Sequence, residues 1–271
     1  MIKIHPMRGS GDGSLMPLNR REFLNLAAGG AATALFGSNL GAQAATSLKV
    51  KAVAFDAFTT FDPRPVFALA DRLFPGRGAE LSNAWRIRQF EYQWLRALSG
   101  RYADFWQATE EALVFAANLL KLDLSAEKRE RLMEAYLELK AWPDAAPALR
   151  SLRDLGVRLA LLSNATLDML DAWIRNSGLE NTYEYVLSTN EIKTYKPDPR
   201  AYQMGVEAFG LKLEEIAFGA FGGWDLAGAE WFGYTTFWVN RLNLPVGELG
   251  VTPDGMGGSL AELVTFVQSR S

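Results

Sequence analysis

The sequence contains no cysteine and one histidine, His5, which lies close to the N-terminus. The absence of cysteine excludes disulfides, thiolate nucleophiles and metal sites built on cysteine. Without histidine beyond residue 5, the main body of the chain cannot use a Ser-His-Asp or Cys-His mechanism, and it lacks the commonest zinc ligand. Carboxylates, hydroxyls, lysine and arginine are therefore the groups left for chemistry.

The sequence also has no large excess of positive or negative charge. The 271 residues carry a net charge of -3, and no long block of Lys or Arg occurs. The sequence therefore does not favour nucleic acid as a partner. The length and the 49% hydrophobic content suit one α/β domain, or a core domain that carries an insertion.

Residues 1–45 are predicted to be a leader with a twin-arginine signal peptide. Asn19–Asn25 reads NRREFLN, a weakly apolar stretch follows, and Ala42–Ala44 offers a small-x-small cleavage site. The stretch is short and interrupted by polar residues, so no stable membrane insertion is expected after processing. The alternative is an ordinary N-terminal helix with a chance arginine pair. Met16 is a second candidate start, and the expected destination is the periplasm.

From residue 46, short apolar runs alternate with amphipathic segments, which predicts a Rossmann-like α/β core with a largely parallel sheet covered on both faces. This core domain is predicted to span residues 46–62 and 141–271, while helical spacing without a convincing strand predicts a helical cap domain at 63–140. The predicted strands are Val50–Phe55, Val157–Leu162, Tyr185–Leu187, Ile216–Phe221 and Thr235–Val239, and the predicted core helices are Ala145–Leu155, Leu167–Ser177 and Pro199–Phe209.

One long cap segment is expected to bury a single apolar face. The residues that define this face are Leu81, Trp85, Phe90, Trp94 and Leu98. Their spacing of four to five residues favours an amphipathic helix.

Polar side chains follow the predicted strands at one edge of the sheet. Asp56 comes after the first strand, Ser163 and Asn164 after the second, and a loop that ends at Asp225 follows a later one. In open α/β sheets, ligands bind beyond the carboxyl ends of the strands. We therefore expect these groups to meet in one site.

Four motifs in chain order resemble those of the haloacid dehalogenase superfamily. They are a strand ending in Asp with Thr four residues later, a hydroxyl residue closing a strand, a lysine motif and an acidic motif. In this sequence they read Phe55–Asp62 (FDAFTTFD), Leu162–Asn164 (LSN), Tyr195–Asp198 (YKPD) and Phe221–Asp225 (FGGWD). Further likeness to the type II (L-2-haloacid) dehalogenases occurs at Phe74–Gly78, Trp85–Arg96, Gly100–Tyr102 and Trp238–Arg241.

This resemblance implies hydrolytic dehalogenation of short 2-haloalkanoic acids to 2-hydroxy acids, without a cofactor or a metal. Asp56 would displace the halide at C2 with inversion and form an aspartyl ester, and water would then attack the carbonyl carbon of that ester. The implied partner is a small halocarboxylate substrate, and a homodimer is expected from the family alone.

The resemblance also assigns roles near the nucleophile. Lys196 would keep Asp56 charged, and Arg86 would approach from the cap to bind the substrate carboxylate or the departing halide. Thr60 would donate a hydrogen bond to the carboxylates. Asp225 would orient or activate water, with a simple partnership to Lys196 as the alternative.

The remaining residues that the resemblance implies belong to the substrate pocket. Ser163 and Asn164 would be hydrogen-bond donors, although they could also cap the next helix. The aromatic side chains of Phe58, Phe90, Phe105 and Trp224 would wall the pocket, and Tyr202, also assigned to substrate binding, matches a family position near the lysine. Apolar walls of this kind exclude water and strengthen the few charges inside.

Three positions depart from the type II pattern. Ala220 and Gly222 stand where Ser and Asn are usual, and Thr59 stands where Gly is usual. Because positioned polar groups are lost, we expect an altered substrate scope or a slow second half-reaction.

Two other functions compete with dehalogenation. One is a binding or vestigial protein that retains the fold without turnover. The other is a Mg²⁺-dependent phosphatase, which the sequence disfavours because Phe58 stands where phosphatases carry a second Asp. Asp225 is also the single acidic residue of the fourth motif, whereas Mg²⁺ needs several oxygen ligands.

Overall fold

Six parallel strands organise residues 50–270, the part of the chain that the computed structural model describes. The strands are β1 Ala52–Phe55, β2 Arg158–Ser163, β3 Tyr185–Ser188, β4 Ile216–Ala220, β5 Thr235–Val239 and β6 Gly255–Gly257. Their order in the sheet is β3-β2-β1-β4-β5-β6, and every neighbouring pair is parallel. The α/β fold predicted from the sequence is confirmed.

Helices cover this sheet and fill the connections between its strands. They are α1 Ala57–Thr60, α2 Arg64–Leu73, α3 Gly78–Leu98, α4 Phe105–Leu119, α5 Ala126–Leu137, α6 Ala145–Asp154, α7 Leu167–Asn176, α8 Pro199–Phe209, α9 Gly223–Phe232 and α10 Leu260–Gln268. Short 3-10 turns occur at Thr189–Ile192 and Leu213–Glu215. The core helices α6, α7 and α8 lie where the sequence predicts them, to within one residue at their ends.

The alternation of side chains along β1 divides the hydrophobic core between the two faces of the sheet. Val53 and Phe55 belong to one cluster of buried residues, and Ala52 and Ala54 belong to the other. Successive residues of a strand point to opposite faces, so both faces are buried. Helices α6, α7 and α10 contribute to the first cluster, and α8 and α9 contribute to the second.

Four helices, α2 to α5, lie between α1 and α6 along the chain and pack beside the carboxyl end of β1. Their buried residues Val66, Leu81 and Leu113 belong to the same cluster as Val53. We call α2–α5 the helical layer. It occupies the region predicted as a cap, but the domain boundaries themselves stay a prediction.

The prediction that α3 buries a single apolar face is wrong at the C-terminal end of the helix. Leu98 is 88% exposed, whereas Gln89 and Gln93 are buried. The amide of Gln93 is tied to Asn164 of the core, which turns this face of the helix towards the sheet and leaves Leu98 in solvent. Contacts with the rest of the fold therefore override the apolar periodicity here.

The predicted leader lies outside the described residues. The twin-arginine signal and the periplasmic destination therefore stay predictions. Between residues 50 and 270, no helix combines the length and the apolar character that a membrane span requires.

Candidate active site

Asp56 lies directly after β1, where the chain turns into the short helix α1. It caps that helix, because its Oδ1 accepts a hydrogen bond from the backbone N–H of Phe58 at 2.9 Å. The backbone N–H of Asp56 donates to the carbonyl of Gly219 in β4 at 2.9 Å. The side chain is thus fixed at the carboxyl edge of the sheet, 6% exposed and facing a cavity.

Lys196 reaches Asp56 from behind the cavity. Its Nζ donates to Oδ2 of Asp56 at 2.7 Å and to Oδ2 of Asp225 at 2.6 Å, and the side chain is completely buried. Burial opposes a positive charge, but the two carboxylates outweigh it and raise the pKa of Lys196 above its ordinary value. The expected contact between Lys196 and Asp56 is present in the structure.

Asp225, in the first turn of α9, has both oxygens occupied by protein groups. Oδ2 accepts from Lys196, and Oδ1 accepts from the hydroxyl of Tyr202 at 2.8 Å. Burial raises the pKa of Asp225 to about 6; Lys196 opposes this shift and the charge of Asp56 adds to it. Asp225 does not line the cavity, so its contacts favour the partnership with Lys196 over direct contact with water.

A cavity of about 560 Å³ lies between the sheet edge and the helical layer. Asp56 and Arg86 of α3 both form part of its wall. Between residues 50 and 270, no carboxylate forms a salt bridge with Arg86. The guanidinium of Arg86 is therefore available for an anion in the cavity that Asp56 borders.

The structure places at the cavity the four aromatic side chains that were predicted to wall the pocket. Those that line the cavity are Phe58, Phe90, Phe105 and Trp224. The ring of Phe90 packs against Trp224 with centroids 5.2 Å apart, so α3 and α9 meet at this wall. Tyr202, expected near the lysine, does not line the cavity and donates to Asp225, the partner of Lys196. Its pKa is raised well above the ordinary value, mainly by burial, which keeps it a hydrogen-bond donor.

Ser163 and Asn164 both line the cavity, and neither caps the next helix. The N-cap of α7 is Thr166, whose side chain accepts from the backbone of Met169. Asn164, which follows β2, instead contacts both the segment that carries Lys196 and helix α3. Its Oδ1 accepts from the backbone N–H of Lys196 at 2.9 Å, and its Nδ2 donates to Gln93 of α3 at 3.2 Å.

The predicted role of Thr60 is wrong in this structure. Its hydroxyl is paired with the hydroxyl of Tyr183 at 2.9 Å and does not contact either carboxylate. Thr59 makes the local contact instead, and its Oγ1 donates to the carbonyl of Asp56 at 2.7 Å.

Two residues that the sequence analysis did not single out hold the turn after Asp56. Arg241 donates to the carbonyl of Thr59 at 2.8 Å and pairs with Asp144 at 3.0 Å. The indole N–H of Trp142 donates to the carbonyl of Phe58 at 3.1 Å. The likeness of Trp238–Arg241 to the type II dehalogenases was the signal that could have indicated Arg241.

Gly222 does not enlarge the pocket, although it lacks a side chain. A Cβ at this position would lie 2.7 Å from Nε1 of Trp224 and 3.2 Å from its Cδ1. The indole therefore fills the space that a side chain at residue 222 would need. Glycine at position 222, where the type II pattern usually has Asn, therefore leaves room for the ring of Trp224.

Across residues 50–270, no group of three or more His, Cys, Asp and Glu side chains is placed to hold a metal ion. The carboxylates of Asp56 and Asp225 are instead bridged by the lysine ammonium.

The chain belongs to the haloacid dehalogenase-like hydrolases, whose family model matches residues 25–233. It is 42% identical to haloacetate dehalogenase H-2 of Moraxella sp. (strain B) over 207 residues, 76% of this chain and 92% of that protein. It is 41% identical to the (S)-2-haloacid dehalogenase of Pseudomonas sp. (strain YL), covering 82% and 96% of the two chains.

Solved structures agree with this placement. The L-2-haloacid dehalogenase from Xanthobacter autotrophicus with chloropropionic acid covalently bound aligns with a TM-score of 0.75 and 33% identity. The alignment covers 82% of this chain and 100% of that one. This chain therefore shares the fold of that dehalogenase over the whole length of the latter.

Proposed function

We propose that this protein is an (S)-2-haloacid dehalogenase, a hydrolase that converts 2-haloalkanoic acids to 2-hydroxy acids through an ester on Asp56. The observation that carries the proposal is the 2.7 Å contact between Lys196 and Asp56 at the wall of a cavity that also contains Arg86. The named relatives, with 34–43% identity, support the same reaction.

In the first half-reaction, a carboxylate oxygen of Asp56 forms a bond to C2 of the substrate, and the halide leaves with the electron pair of the carbon–halogen bond. Displacement from the side opposite the halide inverts C2. Arg86 suits the substrate carboxylate or the departing halide, because a guanidinium is permanently charged and offers a fork of donors.

In the second half-reaction, water attacks the carbonyl carbon of the Asp56 ester. The oxygen of Asp56 that is not bonded to C2 keeps its own donor, either the N–H of Phe58 or the ammonium of Lys196. That donor stabilises the negative charge that develops on the oxygen during hydrolysis. The bond from the carbonyl carbon to the oxygen on C2 then breaks, and that oxygen takes one proton of the water to give the 2-hydroxy acid. The other proton is released to solvent, and the carboxylate of Asp56 is restored.

Esterification changes the charge of the buried cluster. The resting cluster of Asp56, Lys196 and Asp225 carries one surplus negative charge, and the ester removes it. Asp225 then remains as the ionic partner of Lys196. Because the charge of Asp56 helps to raise the pKa of Asp225, that pKa falls in the ester and Asp225 stays ionised.

Halide release from the two enantiomers of 2-chloropropionate, with and without EDTA, tests the proposed activity. We expect turnover of the (S) enantiomer that EDTA does not change, because the buried cation at Asp56 is a lysine. Mg²⁺-dependent release of phosphate from a phosphate ester, with no halide release, would assign the protein to phosphoryl transfer. Binding of the acids without turnover of either enantiomer would identify it as a binding protein.

Asp225→Asn is expected to slow hydrolysis of the ester more than its formation. Once Asp56 is esterified, Lys196 of this variant has no ionised partner, and a buried unpaired ammonium loses its proton. The ester should accumulate, visible in the mass spectrum of the intact protein as substrate minus hydrogen halide. Asp168→Asn, an exposed position on α7, is the matched control. Undiminished steady turnover of Asp225→Asn would contradict this role.

A further inference from the structure

The backbone of Lys196 lies outside the helices and strands, in the turn that leads into α8. Its side chain can place Nζ between two carboxylates only if this backbone is held at the right distance from them. In a helix or a strand, neighbouring peptide groups bind the backbone N–H and carbonyl, whereas in this turn other groups have to do so. The position of the ammonium therefore depends on contacts made by the turn.

Two side chains from distant parts of the sequence bind the backbone of Lys196. Oδ1 of Asn164 accepts a hydrogen bond from its N–H at 2.9 Å, and Nε1 of Trp94 donates to its carbonyl at 3.2 Å. Asn164 follows strand β2 of the sheet, whereas Trp94 belongs to α3 of the helical layer. Both polar groups of the lysine backbone are thus bound, one from the sheet and one from the helical layer.

Gln93, the neighbour of Trp94 in α3, fixes the side chain of Asn164. Its Oε1 accepts from Nδ2 of Asn164 at 3.2 Å, and Oδ1 of Asn164 also accepts from the hydroxyl of Thr189 at 3.2 Å. Because both ends of the Asn164 amide are bound, its oxygen is kept towards the N–H of Lys196. Residues 93 and 94 of α3 therefore act on the two sides of the same lysine.

The burial of Gln93 is not explained by its own hydrogen bonds. The side chain is completely buried, yet within residues 50–270 its Nε2 has no hydrogen-bond partner. A buried polar group without a partner costs stability, and native proteins contain few of them. An apolar side chain would avoid this cost, so the amide of Gln93 is better explained by the contact of its oxygen with Asn164.

We propose, on the basis of the proposed function, that Gln93 and Trp94 are positioning residues that place the ammonium of Lys196 for the reaction. Neither of them lines the cavity, so neither is expected to contact the substrate. They act through the backbone of the lysine, whose Nζ lies 2.7 Å from Asp56 and 2.6 Å from Asp225. Misplacing a group in an active site by about 1 Å can lower the rate by roughly 100-fold.

The pKa of Asp225 reports the position of the ammonium without any need for turnover. Lys196 opposes the burial that raises this pKa to about 6, so displacement of the ammonium should let the pKa rise further. The other groups that act on Asp225, which are Asp56 and Tyr202, stay the same in every variant compared. The pKa is measured on the full-length protein by ¹³C NMR titration of carboxyl-labelled aspartate, with Asp225→Asn used to assign the signal.

Two variants of α3 remove one contact each. Trp94→Phe deletes the N–H that binds the carbonyl of Lys196 and keeps a ring beside Trp224. Gln93→Met deletes the oxygen that accepts from Asn164 and keeps a side chain of similar length. In both variants we expect the pKa of Asp225 to rise by ~0.5 pH units or more.

Two further variants make the same chemical changes away from the site. Trp231→Phe lies at a position of α9 that is 61% exposed, and Gln268→Met lies at an exposed position of α10. Both should leave the pKa of Asp225 unchanged. An unchanged pKa in the two α3 variants would overturn the inference, and so would an equal rise in all four.

Kinetics with (S)-2-chloropropionate connect the position of the lysine to the reaction. In both α3 variants we expect kcat to fall about 10- to 100-fold, while the dissociation constant of unreactive propionate changes less than about twofold because Arg86 is untouched. An unchanged kcat in both, or an equal loss of propionate binding, would overturn the inference. If the unmodified protein releases no halide, the proposed function is refuted, and the titration of Asp225 still decides whether Gln93 and Trp94 position the lysine.

Discussion

Asp56→Asn is expected to abolish halide release, with a loss of roughly 10⁴-fold or more, the scale seen when a catalytic nucleophile is removed. The amide keeps an oxygen that can accept from the N–H of Phe58, so the turn is preserved. It has no negative charge with which to attack C2. Steady-state halide release measures the effect, and Asp168→Asn serves as the control for the chemical change from Asp to Asn.

The same variant should not be less stable than the unmodified protein. Lys196 keeps Asp225 as its partner, and the surplus negative charge of the buried cluster disappears. Active-site groups often cost stability in this way, so the melting temperature should be equal or higher. A folded Asp56→Asn protein that still releases halide at a rate comparable with the unmodified one would rule out Asp56 as the nucleophile.

Lys196→Met is expected to lower the free energy of unfolding by about 3–5 kcal/mol at neutral pH. It removes the ammonium that lies between two buried carboxylates, and breaking a buried ion pair on one side typically has this cost. The melting temperature should fall by on the order of 10 °C. Activity should also be lost, because one proton will be taken up by the Asp56 and Asp225 pair.

The pH dependence of the loss of stability in Lys196→Met follows from the direction of the pKa shift of Asp225. Lys196 opposes the rise in the pKa of Asp225 that burial causes, so without the ammonium this pKa lies further above the unfolded value near ~3.9. A raised pKa gives stability that is present below the unfolded pKa and is lost as the pH rises through the folded one. The deficit of Lys196→Met should therefore be smaller at pH 4 than at pH 7, as measured by urea denaturation.

Two further variants make the Lys196 prediction specific. Adding Asp225→Asn to Lys196→Met removes one of the two like charges and should restore part of the lost stability. Lys212→Met changes an exposed lysine and should alter stability by no more than about 0.5 kcal/mol. A double variant less stable than Lys196→Met alone would show that charge repulsion is not the cause of the loss.

The sequence predicts those parts of the site that lie in short local motifs. Asp56 follows a buried strand and Lys196 belongs to a four-residue motif, so the position of each can be anticipated without coordinates. The sheet edge then brings them together, because the carboxyl ends of parallel strands meet there. The same reasoning placed Ser163 and Asn164 at the cavity.

Contacts between distant parts of the chain could not be predicted in this way. Arg241 holds the carbonyl of Thr59 across 182 positions, and no spacing rule connects the two. Thr60 illustrates the opposite error, since its motif suggested a place beside Asp56 whereas Tyr183 provides its hydrogen bond. The hydrogen-bond partner of each of these groups depends on which side chain lies nearest to it in the folded protein. The pattern of residue types along the sequence does not give that distance.

One helix spans both the fixed and the open part of the site. Near its C-terminal end, α3 is tied to the core by the indole of Trp94, which donates to the carbonyl of Lys196 at 3.2 Å, and by Gln93. Near its N-terminal end, exposed Ala79 borders the cavity. The first turn of α3 is also held, because Gly78 packs so closely on the backbone of Asp71 in α2 that a side chain there would not fit. With both ends of the helix fixed, Arg86 stands on a rigid support at the cavity before any acid binds.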